Sequence, residues 1–292
     1  MSGYSIQQFS SITGFNKILL RTWENRYTFL IPHRTSTNIR YYDDDMIVKA
    51  LNIRTLMNNG VKVSKINKLS ANEILNSVTE LYEKNFIDSS VDYFISKMVE
   101  ATLNFDKITF EKVFELGVNE MGVLEFYRLV ILPTLHKIGY LWLSRSLSPS
   151  QEHFLSEQIK IKISHTISSC NVPQTNDTWL LFLPENEFHD IALQFAHLVL
   201  TLEGCKVIYL GPNLPIESLV DLRDKVNIQN ILYFNLSNQS MNKAQNRVEG
   251  LMDIFPNANQ YLVLHSQHKN KIEKHPNLSI ITEINDLIRV VR

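Results

Sequence analysis

Only two cysteines occur in the 292 residues, Cys170 and Cys205, and neither has a second thiol at a C-x-x-C spacing. A disulfide framework and a cysteine-built zinc site therefore have no basis. No apolar run approaches the roughly 20 residues that span a bilayer, and the opening MSGYSIQQFSSITG has neither the basic nor the apolar block of a signal peptide. The expectation is a cytoplasmic protein with no membrane partner. Tandem repeats and low-complexity segments are lacking as well. The net charge of -1 gives the whole chain no sign that points to a nucleic acid. No glycine loop suited to cradling phosphate is present, and His165, His197 and His265 lie in different segments with no serine or cysteine nucleophile at a recognisable spacing. Catalysis is not expected.

What is present is an ordinary folding composition, 44% hydrophobic and 20% charged, in a chain long enough for two or three units with cores of their own. Three zones differ in pattern. Residues 1–68 hold ten Lys or Arg against four acids, an excess of six positive charges that the chain average hides. Residues 71–172 place apolar residues three and four apart in NEILNSVTELYEKN, SVDYFISKMVEATLNF, TFEKVFELGVNEMG, VLEFYRLVILPTLHKIGYLWL and PSQEHFLSEQIKIKISHTISS, which predicts a bundle of four or five helices. The last of these has Ser148 as N-cap, Pro149 at the first helical position and Gln151 placed to complete the cap. After the polar linker NVPQTNDT, short apolar runs WLLFLP, KVIYLG, ILYFNL, YLVLH and LSIIT alternate with helical segments starting near Asp190, Pro215, Met241 and Ile284. That alternation predicts a five-stranded parallel sheet of the doubly wound, flavodoxin-like kind. The expected fold is thus multidomain: an α winged helix-turn-helix over 1–70, a helical bundle over 71–172 and an α/β sheet domain over 176–292.

In the basic zone, SIQQFSSITGFNKILLRTWENRY contains two short helical patterns joined at Gly14. Ile6, Phe9 and Ile12 make one apolar stripe, and Ile18, Leu19 and Trp23 are expected to continue it. Lys17, Arg21 and Arg26 are left outward, suited to phosphates and a major groove. A small basic helical domain could equally meet an acidic protein. The order of residues in LRTWENRYTFLIPHRTSTNIRYYDDDMI resembles the N-terminal domain of MerR-type transcriptional regulators, with their R-x-W-E-x-R-Y, P-x-R and R-x-Y motifs. The resemblance implies a duplex DNA operator as partner. It places Arg21, Trp23, Arg26 and Tyr27 in the recognition helix, with the outward Lys17 at its start, and Arg34, Asn38, Arg40 and Tyr41 in a wing that grips the backbone.

In the rear zone, LPENEFHDIA puts Glu187 and His189 on the loop between a strand and a helix. Such a histidine can be a metal ligand with its other ring nitrogen held by the carboxylate, or a solvated residue at a helix start where nearby acids favour the dipole. The wider segment EFHDIALQFAHLVLTLEGCKVIYLGPNLPIESLV resembles the cobalamin-binding domain of methionine synthase and its regulatory relatives, whose D-x-H-x-x-G motif falls here on Glu187, His189 and Ala192. WLSRSLSPSQEH, with Trp142 ten positions before Glu152 and then His153, resembles the helical cap of cobalamin-dependent MerR-type photoreceptor repressors of carotenoid synthesis. Taken alone, Trp142 would be a core aromatic and Glu152 with His153 a solvated helix start. The resemblance implies a corrinoid cofactor, adenosyl- or methylcobalamin, with His189 as cobalt ligand, Glu187 behind it, and Trp142, Glu152 and His153 on the opposite face. It also implies a homodimer or homotetramer.

Departures from the family pattern carry expectations of their own. Asn235 and Ser237 are candidate cofactor contacts where the family's Ser-x-Leu falls on Phe234. His265 and Ser266 replace a Gly-Gly and should fill space that a nucleotide tail would need. Leu143 stands where the photoreceptors carry a cobalt-capturing histidine, so a light switch by that chemistry is not expected. Two alternatives to a corrinoid-sensing regulator stay open at this point: the same architecture with a degenerate pocket that answers to a protein or another small ligand, and a corrinoid methyl-transfer module with a basic front domain.

Overall fold

A computed structural model of the chain describes residues 4–27, 30–58, 60–84, 90–143, 147–237 and 240–291. The chain divides into two compact units, Met1–Gln158 and Ile159–Arg292. No helix among the described residues is long and apolar enough to cross a membrane.

The first unit opens with α1 (Ile6–Thr13) and α2 (Lys17–Arg26). Ser5 and Gln8 form a reciprocal cap at the start of α1, and Gly14 ends it at φ 70, a left-handed conformation that costs an L-residue with a Cβ. Asn16 then caps α2 by accepting from the Ile18 N–H at 2.8 Å. Leu20 and Trp23 are the buried residues of α2, with Trp23 edge-on to Phe15 at 4.8 Å. The expected stripe is corrected here: Leu19 is only half-buried, and Ile18 points outward at 72% exposure. The helix phase set by the Asn16 cap gives the inward positions to Leu20 and Trp23.

Strands β1 (His33–Arg34) and β2 (Arg40–Tyr41) form the antiparallel wing. Asn38 turns it at φ 64, a region Asn tolerates better than most residues. Tyr42 follows, stacked on Phe9 at 4.1 Å in the core. Then come α3 (Asp44–Asn58), with Asp43 accepting from the Met46 N–H, and α4 (Val63–Ile66).

The bundle contains α5 (Ala71–Lys84), α6 (Ser90–Leu103), α7 (Lys107–Met121), α8 (Val123–Phe126), a π-helical turn Tyr127–Ile131, and α9 (Leu132–Leu143). The sequence pattern read α8 to α9 as one helix. The π turn has a local cause in Pro133, which has no N–H for the preceding turn and widens the register there. Helix α10 (Pro149–Ser169) begins with the expected cap: Ser148 Oγ accepts from the Gln151 N–H, and Gln151 Oε1 accepts from the Ser148 N–H at 3.0 Å.

The second unit is a five-stranded parallel sheet of β3 (Thr178–Pro184), β4 (Lys206–Leu214), β5 (Asn230–Asn235), β6 (Asn259–Leu264) and β7 (Leu278–Ile281), in spatial order β4-β3-β5-β6-β7. Helices α11 (Asp190–Leu202) and α14 (Ile284–Val291) cover one face. The other face is covered by a 3-10 turn Ile216–Leu219 that runs into the short α12 (Val220–Arg223), and by α13 (Met241–Ile254). β3 is buried throughout, so its side chains feed both layers: Trp179, Leu181 and Leu183 toward α11, Leu180 and Phe182 toward α13. β4 runs past the apolar run through a bulge at Gly211, φ 79. The crossover expected to be helical from Pro215 is only this 3-10 turn and one turn of α12.

The order places the switch of chain direction between β3 and β5. Ligands of open α/β sheets bind beyond the carboxyl ends of strands at such a point.

Candidate functional site

The loop after β3 carries Glu187, Phe188 and His189, and α11 begins at Asp190. Glu187 is fully buried and His189 is exposed. His189 Nδ1 lies 2.5 Å from Glu187 Oε1, which also accepts from the Phe188 N–H at 3.0 Å and the Ser237 hydroxyl at 2.9 Å. Glu187 Oε2 accepts from the N–H groups of Leu236 at 2.7 Å and Ser237 at 2.8 Å. One carboxylate therefore ties the loop after β3 to the loop after β5, across the switch point. Burial pushes the Glu187 carboxyl up, but the hydrogen bonds from His189 and the Ser237 backbone outweigh it and hold it down at about 2.

A carboxylate that accepts from Nδ1–H fixes the tautomer, so Nε2 is the ring nitrogen left to bind a ligand. Among the described residues no three His, Cys, Asp or Glu side chains gather into a metal cage. The site can offer one oriented imidazole nitrogen to a metal whose other ligands arrive with it. Lys160 in the second half of α10 holds Asp190 at 3.0 Å and so anchors the start of α11.

Beyond the ends of β5 and β6 lies an open groove of about 550 Å³ bordered by Asn235, Ser237, Ser240, Met241, His265 and His268. His265, expected with Ser266 to fill space needed by a nucleotide tail, stands at the border of this groove. His265 is exposed, its Nε2 lies 3.0 Å from the Leu236 carbonyl, and Ser266 starts a 3-10 turn, Ser266–Lys271. Phe234 stays out of the groove because strand alternation sends it into the core under α11 and α14. Asn235 Oδ1 accepts from Arg247 at 2.8 Å, while the buried Asn235 Nδ2 has no protein partner. A buried donor without a partner is costly, and an acceptor on a ligand in this groove would satisfy it. These residues fit a corrinoid: an exposed imidazole with its tautomer fixed, and a groove with an unmatched donor.

Of the remaining candidates, Glu152 accepts from the Ser156 hydroxyl at 2.6 Å in the first turns of α10, and His153 beside it is exposed. Trp142 and Leu143 lie in the last turn of α9, with side chains outside the described parts.

In the front domain, Lys17, Arg21 and Arg26 are exposed on α2. Trp23 is corrected from a DNA contact to a core residue at 4% exposure that seats the helix. Tyr27 is the residue after α2, and Tyr41 stacks on His33 at 5.1 Å within the wing. Arg34 and Arg40 converge on Glu24, at 2.5 and 2.6 Å, and Arg34 also donates to Asn38 at 2.8 Å. Glu24 adds to the residues expected from sequence. It joins wing to recognition helix and sets the angle between them, and R-x-W-E was the signal that could have found it. Arg247 was missed too, because nothing in sequence announces that residues 247, 235 and 185 meet.

Residues 4–73 match the MerR HTH regulatory protein family, and residues 95–166 match the B12 binding domain. The chain thus carries one segment similar to the MerR HTH family and one similar to the B12 binding domain, and its second unit has a flavodoxin-like sheet. Over 219 residues it is 26% identical to the HTH-type transcriptional repressor CarH of Myxococcus xanthus, covering 74% of this chain and 73% of that protein. A 73-residue segment is 36% identical to the HTH-type transcriptional regulator MlrA of Escherichia coli, covering 25% of this chain and 30% of that one. In fold it is similar to the monomethylamine corrinoid protein of Methanosarcina barkeri, with a TM-score of 0.53 at 13% identity over 68% of this chain and 96% of that one.

Proposed function

We propose that the protein is a DNA-binding transcriptional regulator whose C-terminal half senses a corrinoid. The observation that carries the reading is His189, exposed beyond β3 with Nδ1 held by the buried Glu187, in a chain that begins with a MerR-type domain. A corrinoid, when bound, would supply cobalt that can take a nitrogen ligand; His189 Nε2 would be that ligand, and Glu187 would hold the orientation of its ring. Asn235 and Ser240 border the groove for the ligand's polar tail. Ser237 acts through Glu187. Trp142, Glu152 and His153, within or beside the first turns and last turns of helices in the segment that matches the B12 binding domain, are assigned as further corrinoid contacts.

The functional segments are assigned to 1–70 for DNA, 71–172 for the cap-like bundle and 176–292 for the corrinoid-binding sheet. Lys17, Arg21, Arg26 and the wing around Asn38 meet a double-stranded operator, read by a homodimer or homotetramer because one small helix-turn-helix makes few contacts alone. The role is regulatory rather than methyl transfer, in keeping with the names of CarH and MlrA.

The test is an absorbance spectrum after incubation with hydroxocobalamin in the dark and desalting. Wild type is expected to retain a corrin band, and His189→Ala to lose or shift it. No retained band in folded wild type would mean that the effector is another ligand or a protein.

A further inference from the structure

We infer that Ile18 is a base-reading residue that recognises the 5-methyl group of thymine in the major groove; this rests on the DNA-binding reading above and adds to it one base and one contact. A single exposed aliphatic side chain is ordinary on a protein surface. What distinguishes Ile18 is its company. At 72% exposure it is the most exposed of the large hydrophobic side chains described. It sits in the first turn of α2, with Arg21, Thr22 and Asn25 three, four and seven positions on, all exposed and all on the same face. Leu20 and Trp23 fill the opposite, buried face.

The face therefore presents one apolar side chain among a guanidinium, a hydroxyl and an amide. Those are the groups that read base edges, and an apolar side chain in such a set matches only the thymine methyl. Lys17 and Arg26 at the two ends of α2 provide charge complementary to phosphates on either side of a groove. No folding role competes, since Ile18 contributes only its backbone to the Asn16 cap and, through its carbonyl, accepts from the Thr22 hydroxyl at 2.9 Å.

The experiment selects a preferred duplex from a random pool with the full chain, then replaces each thymine by uracil in turn, which removes the methyl and keeps the pairing edge. Wild type should lose about four-fold in affinity for each contacted methyl removed, and Ile18→Ala should bind the thymine and uracil duplexes alike. Unchanged wild-type affinity at every position, or the same loss in Ile18→Ala, would overturn the inference while leaving DNA binding intact. Failure to select any sequence would overturn the DNA-binding reading and this inference with it.

Discussion

At the scale of single residues, the site turns on one carboxylate. Glu187 is buried and accepts from two loops, and its ionised form is favoured down to about 2 against an ordinary value of 4.5. A carboxyl depressed in this way stabilises the fold fully above pH 4.5, and the contribution, on the order of 3 kcal/mol, drains away as pH falls toward 2. Urea denaturation of wild type and Glu187→Gln between pH 7 and 3 should show curves that converge at low pH; parallel curves would remove the ion from the account. At neutral pH the same substitution is expected to weaken hydroxocobalamin binding by 10- to 100-fold, the usual cost of losing the group that orients a ligating histidine. Glu187 and His189 were legible in sequence because two residues on one loop can be related by spacing alone. Ser237 was legible only as a candidate cofactor contact; its bond to Glu187 was not, because the two lie 50 positions apart and only the sheet order brings them together.

Among the elements, those with chemical punctuation at their ends were readable. Ser148 and Gln151 marked the start of α10. Gly14 marked the turn of the helix-turn-helix, and the structure adds why it is glycine: φ is 70, and a Cβ there would lie 1.4 Å from Arg54 Nη1, which donates to the Thr13 carbonyl at 2.7 Å. Gly14→Ala is expected to cost about 1–2 kcal/mol for the left-handed backbone alone, read as a lower urea midpoint of the first unit; an unchanged midpoint would mean the turn relaxes freely. Elements without punctuation were misread. The phase of α2 depended on the Asn16 cap rather than on apolar spacing, which is why Ile18 was first given to the core. The π turn before α9 and the bulge in β4 are responses of hydrogen-bond ladders to Pro133 and Gly211, whose local outcome a periodicity cannot express.

For the whole molecule, alternating strand and helix patterns announced the parallel sheet, and the order β4-β3-β5-β6-β7 then located the site at the switch between β3 and β5. The charge distribution is a property of the same scale: the chain carries a net -1 while its first 68 residues hold an excess of six positive charges. DNA affinity should therefore fall steeply and linearly in log–log form with salt as counterions are released, and Lys17→Ala should lower the slope by about one per DNA-bound subunit contact; a salt-independent affinity would contradict a phosphate-gripping front domain. On the proposed function, one ligand couples the two ends of this chain. Fluorescence anisotropy of a labelled, selected duplex, titrated with wild type and His189→Ala with and without hydroxocobalamin in the dark, tests it directly. The corrinoid is expected to change wild-type affinity at least five-fold, the lower end of typical coupling between sites, and to leave His189→Ala unmoved. Identical wild-type affinity with the corrinoid demonstrably retained would contradict it.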